Sequence, residues 1–91
     1  MELEQLRIFT AVAKYKSFSE AARRLYISHS TTSRAVSALE KELDVLLMER
    51  DNRVIALTAA GKTLAEEAAR LLELERQTAE RVKAAATTEE K

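Results

Sequence analysis

Leu25-Tyr26-Ile27-Ser28-His29-Ser30-Thr31-Thr32-Ser33-Arg34-Ala35-Val36-Ser37-Ala38-Leu39-Glu40-Lys41-Glu42-Leu43 is the stretch that decides the fold. Within it, Thr32, Val36, Leu39 and Leu43 recur at steps of four, three and four, the spacing of one buried stripe on a helix. Ser28 is suited to cap the start of that helix. The opposite face begins with His29, Ser30, Ser33, Arg34 and Ser37. Its side chains are short and rich in hydroxyls, with one arginine. A plain solvated face carries more Glu and Lys, as this helix does at Glu40, Lys41 and Glu42. The first turns are shaped for close approach to a phosphate backbone.

Upstream, Ser17 and Glu20 have the spacing of a capping box. They predict a helix from Phe18 to about Leu25. Ala21 and Ala22 are small enough to let another helix approach closely, and Phe18, Leu25 and Ile27 are expected in the core. Tyr26-Ile27-Ser28 is a short connector, so the two helices form a helix-turn-helix. Arg23 and Arg24 lie outside, either as a solvated pair or as phosphate contacts. Before them, Leu3, Leu6, Phe9, Val12 and Ala13, widened by Ile8, predict a scaffold helix over residues 2–15. Lys14 and Lys16 favour its C-terminal end through the helix dipole.

Downstream, the central helix is expected to stop at Leu43-Asp44, because Asp tolerates the left-handed conformation. Val45 with Leu47, and Ile55 with Leu57, alternate with period two on either side of Asp51-Asn52, which suits a tight turn. A small hairpin here makes the fold a winged helix-turn-helix. Thr58 can cap a last helix from about Ala59 into the region of Val82. Leu64, Ala68, Leu71, Leu74, Thr78 and Val82 form its stripe, with Ala65, Ala69, Leu72 and Ala79 beside it. Glu66 with Arg70, and Arg76 with Glu80, are outward i,i+4 pairs. At 1.5 Å per residue this helix is roughly 35 Å long, too long for so small a domain to bury. The excess calls for a second copy of the same helix, paired antiparallel, with Leu64, Ala68, Leu71, Leu72, Leu74 and Thr78 as dimerisation residues. A lone helix capping the core is the alternative. Residues 84–91 lose the pattern and are expected to fray. The expected organisation is a mainly α winged helix-turn-helix over residues 1–58 and a linker helix over residues 59–91.

Composition bounds the chemistry. The chain has 91 residues, hydrophobic residues at 46%, charged residues at 33%, no cysteine, no proline and one glycine, Gly61, so it is a helix-dominated single domain. No disulfide, thiolate metal site or thiol nucleophile is possible. With one histidine, no glycine-rich phosphate cradle and no carboxylate pair in a pocket, an enzyme is disfavoured, and neither metal nor cofactor is expected. No apolar run reaches membrane-span length and no signal-peptide pattern opens the chain, so a cytoplasmic location without membrane contact is expected. Net charge is zero, which counts against nucleic-acid binding. That sum covers all faces, and phosphate contacts need only a local excess of cations. Arg23, Arg24, Arg34, Arg50 and Arg53 supply one in the middle of the chain.

Residues 3 to about 75 resemble the N-terminal DNA-binding domain of LysR-type transcriptional regulators. Leu6-Arg7-Ile8-Phe9 leads the first helix, and residues 17–25 match the family's "SF-x-x-AA-x-x-L". Ser28, Ser33, Arg34 and Leu39-Glu40 match "S-x-x-x-x-SR…LE". Met48-Glu49-Arg50 and residues 57–61 match "FER…LT-x-AG". The resemblance implies a homodimer joined through the last helix on double-stranded DNA, with the helix from His29 in the major groove. By that likeness Ser33 contacts phosphate, Arg34 reaches a base edge or phosphate, and Arg53 at the wing tip enters the minor groove. His29, Ser30, Thr31, Ser37, Arg50 and Arg23 complete the candidate contacts, on an A·T-rich pseudo-palindrome. His29 is a candidate DNA contact or a solvated residue.

The sequence also departs from the family. His29-Ser30 stands where Gln-Pro is usual, Ala35 and often Ser37 where a longer polar residue is, and Glu4 where many members are basic. Asp44 and Asn52 replace usual glycines, and Met48 replaces Phe. Members normally continue into a sensor domain of about two hundred residues. The chain is then either a fragment or a short stand-alone protein, and a small-molecule effector is expected only with such a domain. A winged-helix module that binds protein and not DNA is the rival reading, favoured by zero net charge and the short side chains of the outer face.

Overall fold

The computed structural model describes residues 1–51 and 54–89. Its elements are α1 (Leu3–Tyr15), α2 (Phe18–Leu25), α3 (His29–Leu43), β1 (Met48–Asp51), β2 (Val54–Leu57) and α4 (Ala59–Glu89). The two strands pair antiparallel, Met48 opposite Leu57 and Arg50 opposite Ile55, as the wing. The predicted turn residue Asn52 lies outside the described residues. The fold class is the expected winged helix-turn-helix with a long last helix.

One core joins these elements. Leu6, Phe9 and Val12 of α1 meet Ala21 of α2, Val36 and Leu39 of α3, Leu47 and Met48 before and within the wing, and Leu64 and Ala68 of α4. Thr32 is fully buried in the α3 stripe, and its hydroxyl donates to the Ser28 carbonyl at 2.9 Å, so the polar group is satisfied inside the helix. Leu43, expected in the same stripe, is 37% exposed. The last turn of α3 reaches the edge of the small core. Leu25 and Ile27 are half-buried at the rim, whereas the half-buried Phe18 packs on the core cluster.

With glycine absent from every helix end, other residues take the left-handed stop. Lys16, Tyr26 and Asp44 have φ of 52°, 57° and 55° and close α1, α2 and α3. The expected stop at Asp44 is what the chain adopts. The α2 start differs in one respect. Ser17 Oγ accepts from the Glu20 amide at 3.0 Å, but the Glu20 carboxylate turns outward to arginines and does not close the second half of a capping box.

The segment between α3 and the wing also differs from expectation. Strand β1 begins at Met48, so Val45 and Leu47 do not share a strand face. Leu47 is 1% exposed and Val45 42%. The reason is local: the Glu40 carboxylate accepts from the Leu47 amide at 2.8 Å, and the chain turns there. The Leu47 carbonyl accepts from Thr58 N–H at 3.1 Å. Thr58 caps α4 as predicted, its Oγ accepting from Gly61 N–H at 3.0 Å and donating to the Leu46 carbonyl at 2.6 Å.

Helix α4 begins in the core and leaves it. Among its described residues the fully buried ones end at Ala68, and every residue from Thr78 to Thr88 is exposed. The helix runs to Glu89, through the residues from 84 onward where the apolar pattern is lost. Thr87 and Thr88 hydroxyls donate to carbonyls four residues back. The helix is therefore roughly 46 Å long, and the molecule measures 59 × 26 × 19 Å. Arg7 pairs with Glu75, fastening α1 to the arm. Arg70 pairs with Glu67 at 3.1 Å and not with the expected Glu66, while Arg76 and Glu80 pair at 2.7 Å as expected. No helix among the described residues is long and apolar enough to cross a membrane.

Candidate nucleic-acid interface

The burial of Thr32, Ala35, Val36 and Leu39 fixes which way α3 faces. His29, Ser30, Thr31, Arg34 and Ser37 are exposed and Ser33 half-exposed. The outer face read from the sequence is thus the outer face of the helix. Ala35 is the exception to that reading. At 9% exposure it belongs to the inner side, so its small side chain is a packing matter and removes nothing from the outer face.

The start of α3 is held by its own hydroxyls. Ser28 Oγ accepts from the Thr31 amide at 3.0 Å and donates to Thr31 Oγ1 at 2.8 Å, with Ser30 Oγ 3.3 Å away. This leaves a helix N-terminus with exposed hydroxyls, chemistry suited to phosphate oxygens. Arg34 Nε donates to the Ser30 carbonyl at 3.3 Å. That bond orients the guanidinium along the exposed face.

The wing reaches this face through an aromatic contact. The guanidinium carbon of Arg50 lies 4.6 Å from the centre of the Phe18 ring. The same ring lies 6.1 Å from the imidazole of His29, tilted by 43°. The first residue of α2, the first residue of α3 and β1 therefore meet at one point. A shallow groove beside it runs between α3 and the wing, lined by Ser37, Glu40, Leu46, Met48, Glu49 and Arg50. Arg53 lies outside the described residues.

Arg23 has a partner within its own helix. It and Arg24 both pair with Glu20, at 2.6 and 2.8 Å. Hydrogen bonds from Arg23 and then Arg24 hold the Glu20 carboxyl down at about 2, and the same pairing raises Arg23. The solvated-pair alternative thus has an internal partner that the sequence reading did not name. A carboxyl depressed below its unfolded value of about 4.3 stabilises the fold above that value. It loses the contribution as pH falls toward about 2. A carbon-detected titration of the Glu20 side chain is expected to show its midpoint near 2. A midpoint above 4 would mean that the pairs are absent in solution.

The proposed dimerisation residues separate into two groups. Leu64 and Ala68 are 8% and 0% exposed in this chain's own core, which corrects their assignment, because a buried side chain has no surface for a partner. Leu72 is half-buried against the core. Leu71 and Leu74 are 39% and 53% exposed. With Thr78, Ala79 and Glu75 they line an apolar groove whose far wall is Leu3. Leu3 was expected in the core. The periodicity that placed it there assigned the right face of α1 but not its end, which projects past the core beside α4.

Among the described residues no group of His, Asp and Glu is arranged to hold a metal ion.

Known proteins place this geometry. Residues 3–62 match the model of the bacterial regulatory helix-turn-helix protein, lysR family. The chain is 45% identical over 86 residues to the HTH-type transcriptional regulator TcbR of Pseudomonas sp. (strain P51), covering 94% of this chain and 29% of the relative. It is 51% identical over 72 residues to the HTH-type transcriptional regulator ClcR of Pseudomonas putida, covering 79% and 24%. The chain thus spans less than a third of either relative. The crystal structure of a CbnR DBD–DNA complex matches with a TM-score of 0.91 at 45% identity, covering 94% of this chain and 99% of that one. A BenM DBD/catB site 1 DNA complex matches with a TM-score of 0.91 at 37% identity, covering 94% and 97%. The match over residues 3–62 and the identity along nearly the whole of a solved DNA-binding domain establish that this chain belongs to the LysR family of bacterial regulatory helix-turn-helix proteins.

Proposed function

We propose that this chain binds double-stranded DNA as the DNA-binding part of a cytoplasmic bacterial transcriptional regulator, and that it is not an enzyme. One observation carries the reading. Helix α3, anchored in the core by Thr32, Ala35, Val36 and Leu39, turns a capped N-terminus with exposed His29, Ser30, Thr31, Arg34 and Ser37 outward, in a fold like that of relatives solved as DNA complexes. In this reading α3 lies in the major groove. Ser33 and the Ser30–Thr31 hydroxyls take phosphate, Arg34 takes a guanine edge or phosphate, and Arg50 takes phosphate from the wing side. Arg53, between the wing strands in sequence, is assigned to an adjacent A·T-rich minor groove. Arg23 is a weaker candidate for a phosphate contact, since it is already paired with Glu20. The relatives' DNA complexes support this reading over the protein-binding alternative.

Two protomers act together. The groove of Leu3, Leu71, Leu74 and Thr78 on the projecting half of α4 supports an antiparallel pairing of two arms. The pair holds two α3 helices for the half-sites of a pseudo-palindrome.

The test is binding to an A·T-rich pseudo-palindromic duplex, followed by fluorescence anisotropy at several salt concentrations. Six or more phosphate contacts per dimer predict a loss of about a thousandfold between 50 and 200 mM salt. Arg34→Ala is expected to cost about 1–3 kcal/mol per protomer with the melting temperature unchanged. Salt-insensitive binding, or none at low salt, would reject the reading.

A further inference from the structure

We infer that Phe18 is a positioning residue for DNA contact, its ring serving as a platform that fixes Arg50 and His29 relative to each other and so ties the wing to the first turn of α3. This rests on the DNA-binding reading and goes beyond it, because Phe18 itself is not proposed to touch DNA.

Three observations carry it. The ring has two occupants from two other elements, Arg50 at 4.6 Å and His29 at 6.1 Å. Both occupants are exposed, while Phe18 is half-buried and packed on the core. The ring is therefore held by the core on one side and by these two side chains on the other, and its occupants are not otherwise anchored by the core. The α2 start that carries Phe18 is itself fixed by the Ser17 cap.

The physics favours a role in orientation. An unsupported arginine on an exposed strand loses considerable rotamer freedom on binding a phosphate. A guanidinium lying on a ring has lost part of that freedom already, and its planar N–H edge stays available. The His29 imidazole is oriented from the same ring. Displacing one occupant then changes the other's setting, so the two side chains respond as a unit.

Phe18→Leu keeps apolar bulk and removes the aromatic face. On a duplex holding two protomers it is expected to weaken binding about tenfold, from about two- to fivefold at each ring. It should also flatten the plot of log affinity against log salt by about one to two, as one phosphate contact per protomer is loosened. Arg50→Lys keeps the charge but loses the planar stacking group. It is expected to weaken binding in the Phe18 protein and to change nothing further in Phe18→Leu. A merely packing role for Phe18 predicts the same Arg50→Lys effect in both backgrounds and an unchanged salt slope, and either result overturns the proposal. If Phe18→Leu does not fold by circular dichroism, the cycle of His29→Ala and Arg50→Ala in the Phe18 protein decides. Coupled losses support the platform and additive losses reject it. Absence of DNA binding by the unaltered chain rejects the DNA reading itself, an outcome separate from a failure of the platform alone.

Discussion

Gly61→Ala is expected to destabilise the fold by about 3 kcal/mol, lowering the melting temperature by roughly 15 °C for a domain of this size. Gly61 is in the first turn of α4, where alanine in an open helix would gain about 0.5–1 kcal/mol over glycine. The structure reverses that sign. A Cβ built at Gly61 lies 2.0 Å from the Leu47 carbonyl oxygen and 3.0 Å from its carbonyl carbon. Those atoms are backbone and cannot step aside as a side-chain tip would. The Leu47 carbonyl also accepts from Thr58 N–H, and Leu47 is 1% exposed in the core. Making room for a methyl group must therefore move the α3–β1 segment off the start of α4, taking with it the Thr58 bonds to Leu46 and Gly61. Thermal unfolding monitored by circular dichroism reads the effect. An unchanged or raised melting temperature would mean that the helix start and the Leu47 carbonyl are not in contact in solution.

Leu71→Asp is expected to break the dimer while leaving the winged helix folded. Leu71 is 39% exposed and lines the groove with Leu3, Leu74 and Thr78, so its change to a charge costs the isolated chain little. In a two-fold pairing the charge is buried twice without a partner, a penalty on the order of 3 kcal/mol or more for the pair. That corresponds to a weakening of self-association by about a hundredfold. Binding to a duplex with two half-sites should fall in step, whereas the already weak binding to a single half-site should not. Sedimentation of the unaltered chain and of the variant separates these outcomes. Arg70→Ala is the control, because Arg70 lies on the outer side with Glu67. Equal effects from the two substitutions would remove the assignment of this groove.

Both predictions turn on features that periodicity shows only in part. The α3 helix was legible because its two faces differ in kind, apolar against small and hydroxylated, and because Ser28 and Asp44 mark its ends with known capping chemistry. The wing was legible from alternation in Ile55 and Leu57. Alternation failed at Val45 and Leu47, where a side chain from seven residues earlier, Glu40, claims the Leu47 amide. A glutamate on an exposed helical face reads as solvated, and only the turn of the chain reveals it as an acceptor. The length of α4 calls for a partner over its excess, but the dimerisation residues read from its stripe begin too early, since Leu64 and Ala68 serve this chain's own core. A stripe states which residues share a face and not what covers each turn of it. The same limit placed Leu3 and Leu43 inside, although both sit at helix ends beyond the reach of a small core. The meeting of Phe18, His29 and Arg50 was not legible, because it joins three elements far apart in sequence. Aromatic residues in the helix-turn-helix and a nearby arginine were its only trace.

Helix α3 is proposed to enter the major groove. Dimethyl sulfate tests it directly, because it methylates guanine N7 in the major groove and adenine N3 in the minor groove, and bound protein shields what it covers. A duplex selected from a random pool for binding is to be footprinted with the unaltered chain and with Arg34→Ala. Protection of guanine N7 is expected in two patches about one helical turn apart, weakened in both patches by Arg34→Ala. Guanine N7 left fully reactive while the protein is bound would contradict that placement of α3.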